Sequence, residues 1–174
     1  MKILLTGGSA NGKSSFAETL ALTLPAPRYY LAAMRPYGDG AAAKIARHRA
    51  MRAGKGFISL ERYTDVGGTP VERGSTVLLE CMCNLTANEM FRDGSVPDES
   101  AYRRVLDGVT RLSSVAGNLI VVTNDVGSDG GGYDAATTKY ADTLGQLNAA
   151  LAAEFDAVYE LVCGIPLKIK GDLP

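Results

Sequence analysis

One short segment near the start constrains the fold of this chain more than any other. It reads, in order, Gly7, Gly8, Ser9, Ala10, Asn11, Gly12, Lys13 and Ser14. An apolar run precedes it, and Phe16, Leu20 and Leu24 follow it at the spacing of one helix face. Glycines between a strand and a helix let successive backbone N–H groups turn toward an anion, and the helix N-terminus adds positive potential. The segment therefore predicts a phosphate-binding P-loop, with a glycine-rich turn that binds nothing as the alternative.

All eight of these residues are assigned to nucleotide binding, and the last two have distinct predicted roles. Lys13 is expected to reach the β- and γ-phosphates of a nucleoside triphosphate, and Ser14 is expected to coordinate Mg²⁺. Glu80 ends the apolar run 76–79. A carboxylate at the end of a buried parallel strand lies at the sheet edge where ligands bind, so Glu80 is the second predicted Mg²⁺ ligand. A solvated acid at a strand end is the alternative for Glu80.

Composition narrows the classes of protein that remain. With 174 residues and 46% hydrophobic content, the chain has enough apolar material for one domain, predicted over 1–174. The net charge of -1, without a basic stripe, gives no electrostatic reason to expect nucleic acid or an anionic membrane surface. No apolar run approaches the ~20 residues of a membrane-spanning helix, and no leader precedes the first strand. We therefore expect a cytoplasmic protein that acts on small molecules.

The three cysteines favour neither a disulfide framework nor a zinc site. They are Cys81, Cys83 and Cys163. An odd number of cysteines cannot pair completely, and the Cys-x-Cys spacing without a nearby histidine is unsuited to zinc. We therefore interpret all three as small buried side chains at strand ends.

Strand-like and helix-like segments alternate along the chain. The predicted strands are 3–5, 28–33, 57–60, 76–80, 119–123, 158–162 and an edge strand at 167–170; the predicted helices follow the P-loop and cover 41–53, 84–92, 98–117 and 135–155. Uninterrupted apolar strands that alternate with helices are typical of a parallel sheet covered on both faces. The predicted fold class is therefore α/β and P-loop NTPase-like, with a mostly parallel sheet and helices on both faces.

Residues beyond the P-loop resemble one family. They are Tyr30-Leu31-Ala32, Lys44-Ile45-x-x-His48-Arg49-x-x-Arg52, Leu78-Leu79-Glu80-Cys81, Thr123-Asn124-Asp125-Val126-Gly127-Ser128, Asp142-x-Leu144-Gly145-x-x-Asn148 and Gly164-Ile165-Pro166-Leu167. In this order and spacing, the chain resembles the bifunctional adenosylcobinamide kinase / adenosylcobinamide-phosphate guanylyltransferase family of cobalamin biosynthesis. The resemblance spans nearly the whole chain. The chain departs from the family at Ala10, Thr138 and Ala141, where members usually carry arginine.

The resemblance implies an activity, substrates and an assembly. The expected enzyme phosphorylates adenosylcobinamide with a nucleoside triphosphate, then transfers GMP from GTP to the product, giving adenosylcobinamide-GDP. ATP and GTP are the implied nucleotide substrates, Mg²⁺ is the implied cofactor, and a homo-oligomer, with a trimer favoured, is the implied assembly. Two alternatives remain at this point: a small-molecule kinase that lacks the guanylyltransferase step, and a nucleotide-binding module without turnover.

His48 is the one histidine in the chain, and the family's guanylyl-carrying histidine falls on this position. Its basic neighbours, Arg49 and Arg52 among them, disfavour protonation of the imidazole and attract a triphosphate. A neutral imidazole is a nucleophile that can carry GMP. A solvated histidine on a basic helix is the alternative. The resemblance therefore implies that His48 is catalytic, and we assign Arg49 and Arg52 to nucleotide binding.

The end of the second predicted strand is also assigned to the nucleotide. These residues are Ala32, Ala33 and Met34, together with Glu61 after the third strand. Because ligands bind at the carboxyl ends of parallel strands, we expect this group to lie near the P-loop.

Overall fold

One open sheet organises the computed structural model, which describes residues 1–36, 46, 50, 53–92, 94, 96–126 and 131–174. Its strands are β1 (Lys2–Thr6), β2 (Arg28–Ala32), β3 (Phe57–Glu61), β4 (Thr76–Glu80), β5 (Asn118–Val122), β6 (Ala157–Val162) and β7 (Ile165–Lys170). Across the sheet they lie in the order β3-β2-β4-β5-β1-β6-β7. Neighbouring strands are parallel, except that β7 runs antiparallel to β6 at the edge.

Helices cover both faces of this sheet. They are α1 (Lys13–Thr23), α2 (Met82–Met90), α3 (Ala101–Val115) and α4 (Ala135–Glu154), with a short 3₁₀ turn at Val66–Gly68. Ala17 and Leu20 of α1 pack on one face, in the same apolar cluster as Leu78. Val77 and Leu79, the neighbours of Leu78 on β4, belong to the cluster formed with α2, α3 and α4 on the other face. Both faces of β4 are thus buried, which explains its uninterrupted apolar sequence and confirms the predicted fold class.

The strand register brings several carboxyl ends together. Glu80, the last residue of β4, lies opposite Val122 of β5. Val122 in turn lies opposite Leu5 of β1, one residue before that strand ends. The loop after β1 therefore begins beside the end of β4, at the edge of a parallel sheet where ligands bind.

The start of α3 differs from the prediction. The sequence favours Asp98 as the N-cap, but the helix begins at Ala101, after Ser100. The Asp98 carboxylate instead accepts hydrogen bonds from the hydroxyl (2.7 Å) and the backbone N–H (2.8 Å) of Ser100, and it pairs with Arg104 at 2.8 Å. These donors lower the pKa of Asp98 to about 2. Asp98 therefore stabilises the turn that precedes the helix rather than the first turn of the helix itself.

Two further predictions concern a basic helix and the absence of a membrane-spanning helix. The predicted basic helix over 41–53 lies mostly outside them, although Ala46 and Ala50 are helical. Within the described part of the chain, no helix has the length and apolar character needed to cross a membrane.

Candidate nucleotide-binding site

Glycine is required at two positions of the loop between β1 and α1. Gly7 has a φ of 130°, and a Cβ atom there would lie 2.5 Å from the carbonyl oxygen of Leu161 on β6. Gly12 has a φ of 83° and directly precedes the first residue of α1. Positive φ angles are accessible to glycine at little cost, whereas a side chain at either position would be strained. The two glycines thus allow the loop to pass close to β6 and then turn into the helix.

Lys13 is held against the inner side of this loop. Its ammonium group donates hydrogen bonds to the carbonyl oxygens of Gly7 (2.8 Å) and Gly8 (2.6 Å). Only 6% of the residue is exposed. A cation fixed at the start of a helix, beside glycine-rich backbone, is positioned to bind the phosphates of a nucleotide.

Glu80 is oriented by hydroxyl groups from two other elements. The Ser14 hydroxyl of α1 donates to one carboxylate oxygen of Glu80, and the Tyr30 hydroxyl of β2 donates to the other at 2.9 Å. Glu80 is 9% exposed. The sequence pattern identified Ser14 and Glu80 but missed Tyr30, because an aromatic residue inside an apolar strand carries no sign of a partner 50 positions away.

The Ser14 hydroxyl and the Glu80 carboxylate fit a magnesium ion in chemical type. Mg²⁺ prefers oxygen ligands, and in phosphate-binding sites one or two protein groups commonly share it with phosphate oxygens and water. Among the residues that the structure describes, no cluster of three or more His, Cys, Asp or Glu side chains is suited to a metal ion.

The end of β2 lies beside Glu80, as the sequence predicts. The backbone N–H of Ala33 donates to the Glu80 carbonyl oxygen at 2.9 Å, and Ala32 is the register partner of Glu80. The amide of Asn88 on α2 donates to the Ala33 carbonyl oxygen at 2.8 Å. Met34, which follows, is half-buried. Asn88 thus fixes the backbone that leaves β2, a role that the sequence pattern did not indicate.

Glu61 lies on β3, one strand further from the P-loop than the end of β2. It ends β3, where its register partner is Ala32, and its side chain is exposed. The hydroxyl of Tyr63 donates to the Glu61 carboxylate at 2.7 Å. The structure therefore brings Glu61 to the same edge of the sheet as Glu80, with β2 between them.

His48, Arg49 and Arg52 lie outside the described residues. The chain that follows them is nevertheless anchored to α1. Lys55 forms an ion pair with Glu18 at 2.6 Å, and Glu18 is 1% exposed. Glu18 lies one helical turn after Ser14, so this ion pair ties the residues just after the predicted basic helix to the P-loop helix.

The carboxyl end of β5 is fixed by α4. The Thr123 hydroxyl donates to the side-chain oxygen of Asn148 at 2.8 Å, and the Asn148 amide donates to the Asn124 carbonyl oxygen at 3.2 Å. Thr123 is fully buried. The backbone just after β5 therefore leaves the sheet edge in a set direction.

The cysteines differ from the prediction. Cys163 lies exposed in the turn between β6 and β7, and Cys81 and Cys83 are only half-buried, between Glu80 and the first turn of α2. The Tyr140 hydroxyl donates a hydrogen bond to the Cys83 carbonyl oxygen at 3.2 Å, and the Asn84 amide donates to the Cys81 sulfur at 3.3 Å. Hydrogen bonding between the two thiols lowers the pKa of Cys83 and raises the pKa of Cys81. The two thiols therefore form an interacting pair beside the candidate site.

A glycine-rich loop between a strand and a helix, a buried lysine at its end, and a serine that meets a strand-end carboxylate define a P-loop nucleotide-binding protein. The family model described as "Cobinamide kinase / cobinamide phosphate guanyltransferase" matches residues 3–169. The chain belongs to this family.

Curated relatives match over their whole lengths. The "Bifunctional adenosylcobalamin biosynthesis protein CobU" of Salmonella typhimurium is 32% identical, over 98% of this chain and 100% of the relative. The protein of the same name from Escherichia coli is 30% identical with the same coverage. The "Bifunctional adenosylcobalamin biosynthesis protein CobP" of Pseudomonas aeruginosa is 28% identical, over 99% of both chains.

Proposed function

We propose that this protein phosphorylates adenosylcobinamide with a nucleoside triphosphate and then transfers GMP from GTP to the phosphorylated product. The contact between Ser14 and Glu80 beside Lys13 carries this proposal, because it unites the P-loop with a strand-end acid in the arrangement that phosphoryl transfer needs. Membership of the family identifies the corrinoid as the substrate and indicates both reactions. The single sheet that unites β1 to β7 supports the further proposal that 1–174 acts as one domain.

In the first reaction, a substrate hydroxyl oxygen attacks the γ-phosphorus, and the bond from that phosphorus to the oxygen bridging the β-phosphorus breaks. Lys13 neutralises charge that builds up on the β- and γ-phosphate oxygens, and backbone N–H groups of the P-loop orient them. Mg²⁺ bound by Ser14 and Glu80 would supply further positive charge at the phosphates. Ala32, Ala33 and Met34 are proposed to border the nucleotide, together with Glu61.

In the second reaction, His48 attacks the α-phosphorus of GTP, giving a His–GMP phosphoramidate and releasing pyrophosphate. The phosphate of adenosylcobinamide phosphate then attacks the same phosphorus, which frees His48 and yields adenosylcobinamide-GDP. Two displacements replace one difficult transfer. Arg49 and Arg52 are proposed to attract the triphosphate and to disfavour protonation of the imidazole.

The decisive experiment uses GTP that carries a radioactive label on either the α- or the γ-phosphate, with Mg²⁺ present. We expect the α-label to remain with denatured wild-type protein, to be lost in acid and to persist in base, as a phosphoramidate does. The γ-label should not be retained. His48→Ala should take up no α-label yet keep part of the kinase activity, because the first reaction needs no covalent intermediate.

Three other results would each point elsewhere. Equal α-labelling of His48→Ala and wild type would mean that another residue carries GMP or that transfer is direct. Phosphorylation of adenosylcobinamide without pyrophosphate release from GTP would favour a kinase that lacks the second step. GTP binding without turnover of either corrinoid would favour a nucleotide-binding module.

The assembly is proposed to be a homo-oligomer, with a trimer favoured. Its structural support is the edge strand β7, on which Ile165, Leu167 and Ile169 are exposed. Exposed apolar side chains that lie close together are typical of surfaces that another chain covers.

A further inference from the structure

The turn between β6 and β7 lies directly beside the P-loop. Thr6, the last residue of β1, pairs with Glu160, and β6 continues beyond that pair as far as Val162. The backbone N–H of Gly164, in the turn, then donates a hydrogen bond to the carbonyl oxygen of Asn11 in the P-loop at 3.2 Å. The turn therefore borders the P-loop on the side of β1 that faces β6.

The conformation of this turn determines which groups it presents. Cys163 and Gly164 both have positive φ angles, 50° and 81°, as the tight turn of a two-residue hairpin requires. A Cβ atom at Gly12 would lie 3.4 Å from the Cα atom of Gly164, which is ordinary contact. Cys163 is exposed, and Val162 before it is 39% exposed. The side chains that the turn presents beside the P-loop are therefore a thiol and a valine, and neither is charged.

The acid of β4 borders the P-loop on its other side. In the sheet, β5 and β4 lie on one side of β1, and β6 and β7 lie on the other. Ser14 meets Glu80 on the β4 side. In phosphoryl-transfer sites, Mg²⁺ bridges oxygens of the β- and γ-phosphates. The terminal phosphates of a triphosphate held here would thus point toward β4, and the nucleoside at the opposite end would extend toward β6.

We propose that the turn of Val162, Cys163 and Gly164 forms one wall of the subsite for the nucleoside of the triphosphate, where it contacts the ribose and the base. This proposal rests on the proposed function, because it needs a nucleotide at the P-loop. Uncharged side chains and backbone pack against a ligand as the apolar walls of binding pockets do. Since no residue of the wall is charged, it should accept both adenine and guanine nucleotides.

The exposed thiol of Cys163 reports on this subsite. The full chain is treated with iodoacetamide in Mg²⁺, with and without the α,β-methylene analogue of ATP or GTP, and alkylation of Cys163 is followed by peptide mass. These analogues cannot transfer their nucleoside monophosphate to His48. We expect a saturating analogue to slow the alkylation about tenfold, because cysteine reactivity depends on exposure. Inorganic tripolyphosphate, which occupies the P-loop without a nucleoside, should leave the rate unchanged.

The converse measurement starts from modified protein. After reaction of Cys163 with N-ethylmaleimide, each analogue should bind about tenfold more weakly, since a change in one pocket contact has effects of this order. The affinity for tripolyphosphate should stay that of unmodified protein. Cys163→Ser protein treated in the same way is the matched control for reaction at Cys81 and Cys83, and it should keep its affinity for all three ligands.

A cysteine placed away from the P-loop tests whether the protection is local. Val96 is 81% exposed outside the sheet, so Val96→Cys in the Cys163→Ser protein should be alkylated at the same rate with and without an analogue. Protection at this position as well would indicate a change in the whole molecule, and would overturn the proposal.

Three other results would also overturn the proposed wall. Equal protection of Cys163 by tripolyphosphate would mean that phosphates alone cover the turn. An analogue that binds without protecting Cys163 would place the nucleoside elsewhere and leave the proposed function intact. A Cys163 thiol that does not react in nucleotide-free protein would mean that another subunit covers the turn. If unmodified protein binds neither analogue, the proposed function itself is contradicted, and the wall with it.

Discussion

The Glu80 carboxylate is held in place by hydrogen bonds to both of its oxygens. Its two carboxylate oxygens accept hydrogen bonds from Ser14 and Tyr30, which belong to different elements. A carboxylate oriented in this way presents its remaining electron pairs in fixed directions, as a metal ligand does when its supporting residues are in place. Tyr30 is thus a positioning residue for Glu80.

The first prediction concerns this support. We expect Tyr30→Phe to raise the Mg²⁺ concentration needed for half-maximal GTP binding by about 10-fold, because the carboxylate loses one of its orienting donors. Glu80→Gln should raise it further, since the amide has lost the charge that attracts the cation. Titration of GTP binding with Mg²⁺ measures both effects.

Tyr29→Phe is the matched control for Tyr30→Phe. Tyr29 is also buried on β2, and its hydroxyl bonds to Glu72 at 3.2 Å, but its side chain belongs to the apolar cluster on the opposite face of the sheet. It should leave the Mg²⁺ dependence unchanged. An unaltered Mg²⁺ dependence in Glu80→Gln would mean that Glu80 does not bind the cation and only accepts the hydrogen bonds of Ser14 and Tyr30.

The second prediction concerns Lys13. Each hydrogen bond from a charged group contributes about 1.5–3 kcal/mol, so Lys13→Ala should weaken triphosphate binding by roughly 10- to 100-fold. The fold should persist, because the Lys13 ammonium group bonds to the loop and contributes nothing to either apolar cluster. Equilibrium binding of GTP and a thermal unfolding curve test the two parts.

Lys139→Ala offers a control of the same chemical change. Lys139 is exposed on α4 and pairs with Glu99 at 3.1 Å. Exposed ion pairs contribute little, so this variant should match the wild type in both measurements. Wild-type GTP affinity in Lys13→Ala would contradict the P-loop assignment.

Some of these residues could be predicted from the sequence, and others could not. Lys13 and Ser14 belong to a motif with fixed spacing, so their neighbours in the sequence reveal them. Tyr30 and Glu18 act through partners 50 and 37 positions away, and no local pattern encodes such contacts. The assignment of His48 remains a prediction from family resemblance.

At the scale of elements, the strands buried on both faces were predicted more accurately than the start of α3. The sequence placed β4 at its observed bounds and β5 within one residue, because strands buried on both faces are continuous apolar runs between polar turns. The start of α3 was predicted too early because aspartate is common at helix N-caps, whereas Asp98 accepts a hydrogen bond from Ser100 in the turn before the helix. An aspartate side chain can accept hydrogen bonds either as a helix N-cap or within a turn before the helix. The residue type alone therefore cannot distinguish these two roles.

The third prediction compares the same substitution in two helices. Gly145 lies inside α4, and a Cβ atom there meets nothing within 4 Å. Replacing glycine by alanine inside a helix stabilises it by roughly 0.5–1 kcal/mol, since the unfolded chain has less backbone freedom to lose. Gly145→Ala should therefore raise the melting temperature by about 1–4 °C in a thermal unfolding experiment.

Gly108→Ala in α3 provides the comparison. A Cβ atom at Gly108 would lie 3.3 Å from a methyl carbon of Val66 and 3.5 Å from the backbone nitrogen of Gly67. Crowding against the 3₁₀ turn should offset the helix gain, so Gly108→Ala should melt below Gly145→Ala. If Gly145→Ala instead lowers the melting temperature, its helix face must be in contact with something else in the folded protein, such as another subunit.

At the scale of the whole molecule, the two edges of the sheet differ. β3 is a parallel edge strand, whereas β7 is antiparallel and exposed along all six of its residues. On β7, Ile165 is 62% exposed, Leu167 47% and Ile169 61%. The alternation of side chains is interrupted near Ile169, because the register of β7 on β6 shifts between Val158 and Tyr159. Lys170, which pairs with Val158, donates hydrogen bonds to carbonyl oxygens at the end of α4. The edge strand β7 therefore presents exposed apolar side chains.

The last prediction is that the exposed apolar residues of β7 form the contact between subunits. Ile165→Asp combined with Ile169→Asp should convert the proposed oligomer to a monomer, because a charge buried without a partner costs several kcal/mol. Multi-angle light scattering across a broad concentration range measures the mass. Val96→Asp is the control, since Val96 is 81% exposed outside the sheet and should leave the assembly unchanged. A monomeric wild type would contradict the oligomer itself. A double variant that stays assembled would place the contact on another surface and leave the exposed apolar residues of β7 without a structural explanation.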